Sequence, residues 1–307
     1  MKNFISWAIL LGLVLVWGSS FILIKKSLLY FTSDEVGVLR IVITFLFLLP
    51  LAILKLKKVD KRTTWILMVS GIIGSVIPSW LFATAQTQIG SSMAGTLNAL
   101  TPLFTLLIGV LFFKFKTRWF NVLGVIIGLA GAVGLIMASS HHALEANIKY
   151  SLLVVAATLC YAINVNIIKT HLSHLGSLTI TALTFFYVGI PLTLFILFAS
   201  NVPSNLINEP ETLTGLGYLL ILSVLGTALA LIAFNKLIKT SSPVFAASVT
   251  YLIPVVAIAW GIIDGEIFKL SYAVWFTLII LGVFLVNAKP GTYTNLSSRL
   301  LFGKRRK

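Results

Sequence analysis

The sequence predicts an all-α membrane protein whose ten transmembrane helices form two inverted five-helix repeats. Three observations carry this. Hydrophobic residues make up 58% of the 307 and charged residues only 10%, against roughly 25% charged in a soluble domain. Ten apolar runs follow one another, each near the ~20 residues that span a bilayer. The second half of the chain also echoes the first at fixed offsets.

The runs lie at 5–24, 35–54, 65–86, 90–113, 119–138, 148–168, 178–199, 214–234, 241–263 and 271–288. The first resembles a secretory signal: Lys2, then an apolar stretch. No small-residue cleavage site follows before Trp17-Gly18, so it reads as an uncleaved helix. Mean hydropathy is +1.04, and no polar stretch is long enough for a separate soluble domain.

Loop charge orients the spans. With the N-terminus inside, 18 of the 23 basic residues fall in inside loops. Lys25, Lys26, Lys149 and Lys269 fall outside, and Arg40 lies within the second span. This agrees with the positive-inside rule at every boundary. Seven of the eight acids fall outside, Asp60 being the exception. The net charge of +15 is therefore loop charge rather than a nucleic-acid footprint. Both termini face the cytoplasm in this reading. The tail 289–307, with Lys304 to Lys307, fits contact with anionic membrane lipids.

The echoes define the repeat. At an offset of 144, Trp17, Gly18, Ser20 and Lys25 match Tyr161, Ala162, Asn164 and Lys169. At 152, Gly74 and Ser75 match Gly226 and Thr227, and Pro102 matches Pro254. The unit, 5–138 and then 148–288, has five spans, so the second copy enters from the opposite side. Such inverted repeats, with interrupted helices in corresponding positions, point to a transporter's midplane site. The fourth and ninth spans are those helices. A proline removes one backbone donor and displaces the carbonyl four residues earlier. Those carbonyls belong to Asn98 and Thr250. Pro102 and Pro254 are accordingly expected as paired hinges, with Asn98 and Thr250 on the substrate path. Gly124, Gly128, Gly131 and Gly134 stripe the fifth span. They suit close helix packing, within the chain or in a homodimer.

These features together resemble the EamA-type members of the drug/metabolite transporter superfamily. The likeness rests on Trp17-Gly18-Ser19-Ser20-Phe21 in the first span, Arg40 in the second, and small residues before Pro102 and Pro254. A glutamate often closes the fourth and ninth spans of that family. Glu266 fits the pattern, while Lys114 stands at the equivalent place in the first half. The resemblance covers residues 5 to 288. It implies a central cavity lined by spans 1, 3, 4, 6, 8 and 9, and movement of small metabolites, often amino-acid export.

The candidate substrate-binding set is Trp17, Ser20, Ser75, Ser79, Asn98, Thr101, Tyr161, Asn164, Thr227, Thr250 and Tyr251. Arg40, a charge in the membrane, is functional by default. Its other reading, favoured by short reach, is a snorkelling side chain paired with Asp34, Glu35 or headgroups. No Asp, Glu or His lies deep in a span, which favours a facilitator or exchanger over proton coupling. His141, His142, His171 and His174 sit in loops, and no metal or cofactor is expected. Cys160 reads as a small buried hydrophobe. No Walker loop or nucleophile–base arrangement occurs, so no enzyme is expected.

The expected function is an inner-membrane carrier exporting or exchanging small polar metabolites, with amino acids leading. The alternatives are a membrane scaffold and an enzyme of lipid-linked substrates. The charge asymmetry makes a topology prediction. Cysteines placed at Ala143 and Asn208 should label from outside intact cells, and one at Lys58 should not. Labelling of Ala143 from the inside alone would overturn the layout.

Overall fold

A computed structural model describes residues 2–56, 59–113, 118–139, 144–234, 249–267 and 269–287. Every regular element among them is helical. The cause is the solvent. In lipid each peptide group must be satisfied by protein, and a helix does so within one segment.

Helix α1 covers Lys2–Ser27, α2 Ser33–Ile53, α3 Lys61–Ala85, α4 Ser91–Phe113 and α5 Trp119–Ser139. Helix α6 covers Leu144–His171, α7 Ser177–Ala199, α8 Thr212–Phe234, α9 Val249–Ile263 and α10 Leu270–Asn287. A short helix, Val202–Asn208, lies between α7 and α8. Helices α1 to α8 are long and apolar enough to cross a membrane, while α9 and α10 are shorter apolar helices. Residues 241–248, expected to open the ninth span, lie outside the described residues.

Local chemistry sets the helix starts. Thr32 and Glu35 form a capping box at α2, each side chain meeting the other residue's backbone N–H. Asp60 accepts from the Thr63 N–H and caps α3.

Three interruptions matter for function. Helix α3 widens into a π-turn at Ile72–Val76, and α8 does so at Val224–Leu229. The Ile77 N–H reaches back to the Ile72 carbonyl, and the Ala230 N–H to the Leu225 carbonyl. The turns start 152 residues apart and each contains one of the matched glycines, Gly74 and Gly226. Such bulges are frequent at functional sites. The third interruption splits α4 between Asn98 and Thr101. There Ala99 and Leu100 donate to the Thr96 and Leu97 carbonyls, three residues back.

The two prolines expected as paired hinges sit in unlike backbone. Pro102 follows a true break, and the Thr101 hydroxyl repairs the Asn98 carbonyl at 2.9 Å. Pro254 lies inside the continuous helix α9. It falls within the first two turns of the described part, where the helix carries the loss of one donor unbroken.

Packing joins helices in a recurring pattern. Helix α1 packs on α8 and α9, and α6 packs on α3 and α4. Helix α2 packs on α7, where Gly189 admits Phe45. The glycine stripe of α5 is filled by α10. Gly124, Gly131 and Gly134 meet Gly282, Leu278 and Trp275, and Gly128 lies against Gly282. The stripe therefore serves packing within the chain, and a homodimer would need another face.

A Cβ at Gly282 would sit 2.5 Å from the Gly128 nitrogen and 2.6 Å from the Gly124 carbonyl. Both are backbone and cannot swing away. Gly282→Val should destabilise the protein by about 1–3 kcal/mol, the usual cost of overpacking. Gly217→Ala, which meets nothing within 4 Å, should leave the thermal midpoint near wild type. Equal midpoints for Gly282→Val and wild type in detergent would refute the seam.

Candidate functional site

Two polar assemblies stand out. The first lies where α1, α2, α3, α6 and α8 meet. The Trp17 indole N–H donates to the Gly226 carbonyl at 3.0 Å, a carbonyl inside the α8 π-turn. Ser20, one turn along α1, is buried beside Gly226 and donates to its own helix at Val16. On the other side, Asn164 of α6 lies against Gly74 of the α3 π-turn and accepts from the Ser70 hydroxyl at 2.6 Å. Ser20 and Asn164 are partners at the 144 offset, and Gly226 and Gly74 at 152. The same contact is thus made twice.

Arg40 enters this assembly from α2. Its Nε donates to the Thr227 hydroxyl at 3.3 Å, and its guanidinium lies beside the Tyr161 hydroxyl. Tyr161 in turn stacks on Phe82 of α3, ring centroids 6.0 Å apart. The expected pairing of Arg40 with Asp34 or Glu35 does not form. The Asp34 carboxylate accepts from the Trp80 indole at 2.6 Å, and Glu35 is held by Thr32. Capping and an interfacial tryptophan have taken both acids, so the arginine turns inward instead of snorkelling.

The remaining expected residues are scattered. Ser75 is half-buried within the α3 π-turn. Ser79 is buried one turn further, its hydroxyl without a hydrogen-bond partner among the described residues. Asn98 and Thr101 bond to each other at the α4 break, outside the Arg40 contacts. Thr250 and Tyr251 belong to α9, but their side chains lie outside the described residues. His171 and His174 are exposed, and His141 and His142 lie outside the described residues. No group of three or more metal-ligating side chains occurs among the described residues.

The second assembly was not legible from the spans. It sits at the end of the bundle where α1 finishes. The Lys25 ammonium bridges Asp264 at 2.8 Å and Glu266 at 2.9 Å, and Lys26 reaches Asp264 at 2.5 Å. Glu266 also accepts from the Ser91 N–H at 2.7 Å, the Ser91 hydroxyl at 2.9 Å and the Ser92 N–H at 3.0 Å. It thereby caps the first turn of α4, where a helix N-terminus favours a negative charge. Residues 264–266 aim it there. Gly265 has φ +84, and the Glu266 and Gly265 N–H groups bond back to the Gly261 and Ile262 carbonyls. This left-handed helix ending requires glycine at its turn. Below it the Trp260 indole donates to the Ser19 hydroxyl at 2.8 Å. A Cβ on Gly18 would lie 3.0 Å from the Ile253 carbonyl.

Side chains of Asp264 and Glu266 are only 14% and 15% exposed. Salt therefore screens these pairs less than it screens fully exposed ones. Burial alone would push the Glu266 carboxyl up. Lys25 and the Ser92 and Ser91 donors outweigh it and hold the group below the ordinary 4.5. Lys25 and Lys26 hold Asp264 below 3.8. Two lysines on the side disfavoured by the positive-inside rule were the available signal in the sequence.

A cleft of about 340 Å³ borders this assembly, with Gln88, Ser92, Thr96, Glu266 and Tyr272 among its walls. Asn166, absent from the expected set, is buried and donates to the Thr105 and Ala162 carbonyls, tying α6 to the second half of α4.

Comparison with known proteins agrees with this architecture. The inner membrane transporter YedA of Escherichia coli K12 is 26% identical over 293 residues, covering 92% of each chain. A transporter of Archaeoglobus fulgidus is 25% identical over 288 residues, covering 92% of this chain and 99% of its own. The transporter YvbV of Bacillus subtilis is 27% identical, covering 90% of each. A crystal structure aligns over 96% of this chain and 98% of its own with a TM-score of 0.59 at 14% identity, a shared fold. The pattern of the EamA-like transporter family matches twice, at residues 5–137 and 148–288, and the chain belongs to that family.

Proposed function

We propose that this membrane transporter is an alternating-access carrier that exports or exchanges small polar metabolites, amino acids first among them. All ten helices cross the inner membrane as two inverted five-helix repeats, with both termini cytoplasmic. The substrate site lies among α1, α3, α4, α6, α8 and α9. The observation that carries this reading is the doubled contact: Ser20 on the Gly226 π-turn, and Asn164 on the Gly74 π-turn. Two like bundles of opposite orientation can exchange shapes, and each exchange opens one face while closing the other. Irregular backbone at membrane depth is tolerated only against protein or a wet cavity, which suits a path beside both π-turns.

In this reading the Lys25–Asp264–Glu266 assembly is the outer gate, closed here, which draws α1, α4 and α9 together. Its counterpart in the other half has a different composition. Lys25 corresponds to Lys169, Glu266 to Lys114 and Asp264 to Phe112. At the positions equivalent to Asp264 and Glu266 the other half has no carboxylate. The absence of deep Asp, Glu or His in the spans supports a carrier that needs no proton gradient.

Purified protein in liposomes loaded with labelled metabolites tests the transport itself. Counterflow should persist with no pH gradient, and its loss on collapsing the gradient would reveal a proton-coupling residue.

The gate has its own test. Glu266→Gln removes charge-assisted bonds worth about 1.5–3 kcal/mol each, and should lower the thermal midpoint at pH 7. Both carboxyls are depressed, so their stabilisation is present above their ordinary values. It is lost as pH falls through the depressed ones. The gap between wild type and Glu266→Gln should therefore stay constant from pH 7 to 5 and narrow once the pH falls below the ordinary 4.5 toward the depressed value. In a Cys160→Ala background, cysteine at the buried Ala94 should react severalfold faster with an impermeant thiol reagent from outside once Glu266→Gln is added. Unchanged labelling would remove the gate from the mechanism.

A further inference from the structure

Arg40 is the eighth residue of α2, about 10 Å along the helix from its start at the usual rise. A guanidinium stays charged at any accessible pH and carries five donors. One of them, Nε, is spent on Thr227. Arg40 makes no ion pair among the described residues; the pairs there belong to Lys25 and Lys26. The two acids near it in sequence are engaged elsewhere, by Trp80 and by Thr32. Asp60, Glu145, Glu209, Glu211, Asp264 and Glu266 lie at helix ends or between helices. The half-buried guanidinium has no counter-charge among the described residues, and a charge drawn even partly out of water is costly without one.

The surroundings hold the guanidinium ready for an anion. Thr227 orients it: the hydroxyl accepts from Nε and donates at 3.3 Å to the Leu222 carbonyl, in the regular turn just before the α8 π-turn. The Tyr161 hydroxyl stands beside it and can add a donor. The planar fork beyond Nε matches the two oxygens of a carboxylate. One fixed positive charge, with no second basic residue deep in any span, balances one negative charge. A carboxylate fits that count, and a phosphate dianion does not.

We propose that Arg40 binds the carboxylate of the transported metabolite, with Thr227 positioning the guanidinium and Tyr161 donating to the anion. The substrates are then small carboxylates, with or without an amine, and the amine is not the group recognised. The inference rests on the transport reading above and narrows it.

The test uses the full-length protein in liposomes, with labelled amino acids and short monocarboxylates, their carboxamides, and matched phosphate monoesters. Wild type should carry at least one carboxylate and carry its carboxamide at least tenfold less well. Arg40→Gln should lose the carboxylate at least tenfold, chiefly through a raised KM, and Arg40→Lys should recover part of it. The same carboxylate should raise the thermal midpoint of wild type but not of Arg40→Gln. Equal transport of acid and carboxamide by wild type overturns the proposal even where the variant fails to fold. So does an unchanged KM in Arg40→Gln, or transport confined to phosphate monoesters; in each case the carrier reading stands. If wild type carries none of these compounds, the transport reading fails as well.

Discussion

A peptide group in lipid has no water to turn to, and the rest of this structure follows from that constraint. It makes every described element a helix and forbids casual irregularity. Each departure is repaired by a neighbour. The α8 π-turn lends its Gly226 carbonyl to the Trp17 indole. The α4 break returns its Asn98 carbonyl to the Thr101 hydroxyl. The α4 N-terminus, a row of bare N–H groups, is closed by a carboxylate from the far side of the chain. At these places a side chain, local in α4 and distant at α8 and the α4 N-terminus, meets a backbone group that the helix leaves open.

Much of the fold was legible because hydropathy is a property of single residues summed over a window. Where both ends are described, the span limits fall within a few residues of the helix limits for the same reason; the start of the ninth span lies outside the described residues. The α5 glycines announced a close seam, although the sequence left open whether α10 or a second chain would fill it. Gly74 and Gly226, matched as repeat partners, both fall in π-turns, but nothing in the sequence marked those helices as widened there. Two prolines at equal register looked like two hinges, yet only α4 breaks. Whether a helix bends at a proline depends on what repairs the freed groups, and Thr101 is the local answer in α4.

Side-chain direction was the harder problem. Arg40 could be located by depth, but its choice between Asp34 and the bundle interior depends on what else those acids bind. Trp80, 46 residues from Asp34, decides the matter by taking the carboxylate. Likewise, nothing local to Lys25 points to Glu266, 241 residues away. Such pairings are set by tertiary proximity, and a single sequence reports them only through the oddity of a charge where the loop rule disfavours it. Among the described residues, Lys25 and Lys26 are clasped by carboxylates at one end of the bundle, while Arg40 is held between Thr227 and Tyr161 with no carboxylate on it.

The end where Lys25 meets Asp264 and Glu266 also has a kinetic meaning. By sequence register, its counterpart is built from lysines and a phenylalanine. A carrier whose two exits differ in this way has two unequal resting orientations. The passive carrier proposed above could not build a gradient from that difference, since net flux stops at the electrochemical equilibrium of the solute whatever the two exits are made of. The half-saturation constants measured from the two faces can nevertheless diverge, provided the maximal rates diverge in step. If the clasp gates the carrier as proposed, it would make that carrier a rectifier, one that releases substrate into one compartment more readily than it gathers it there.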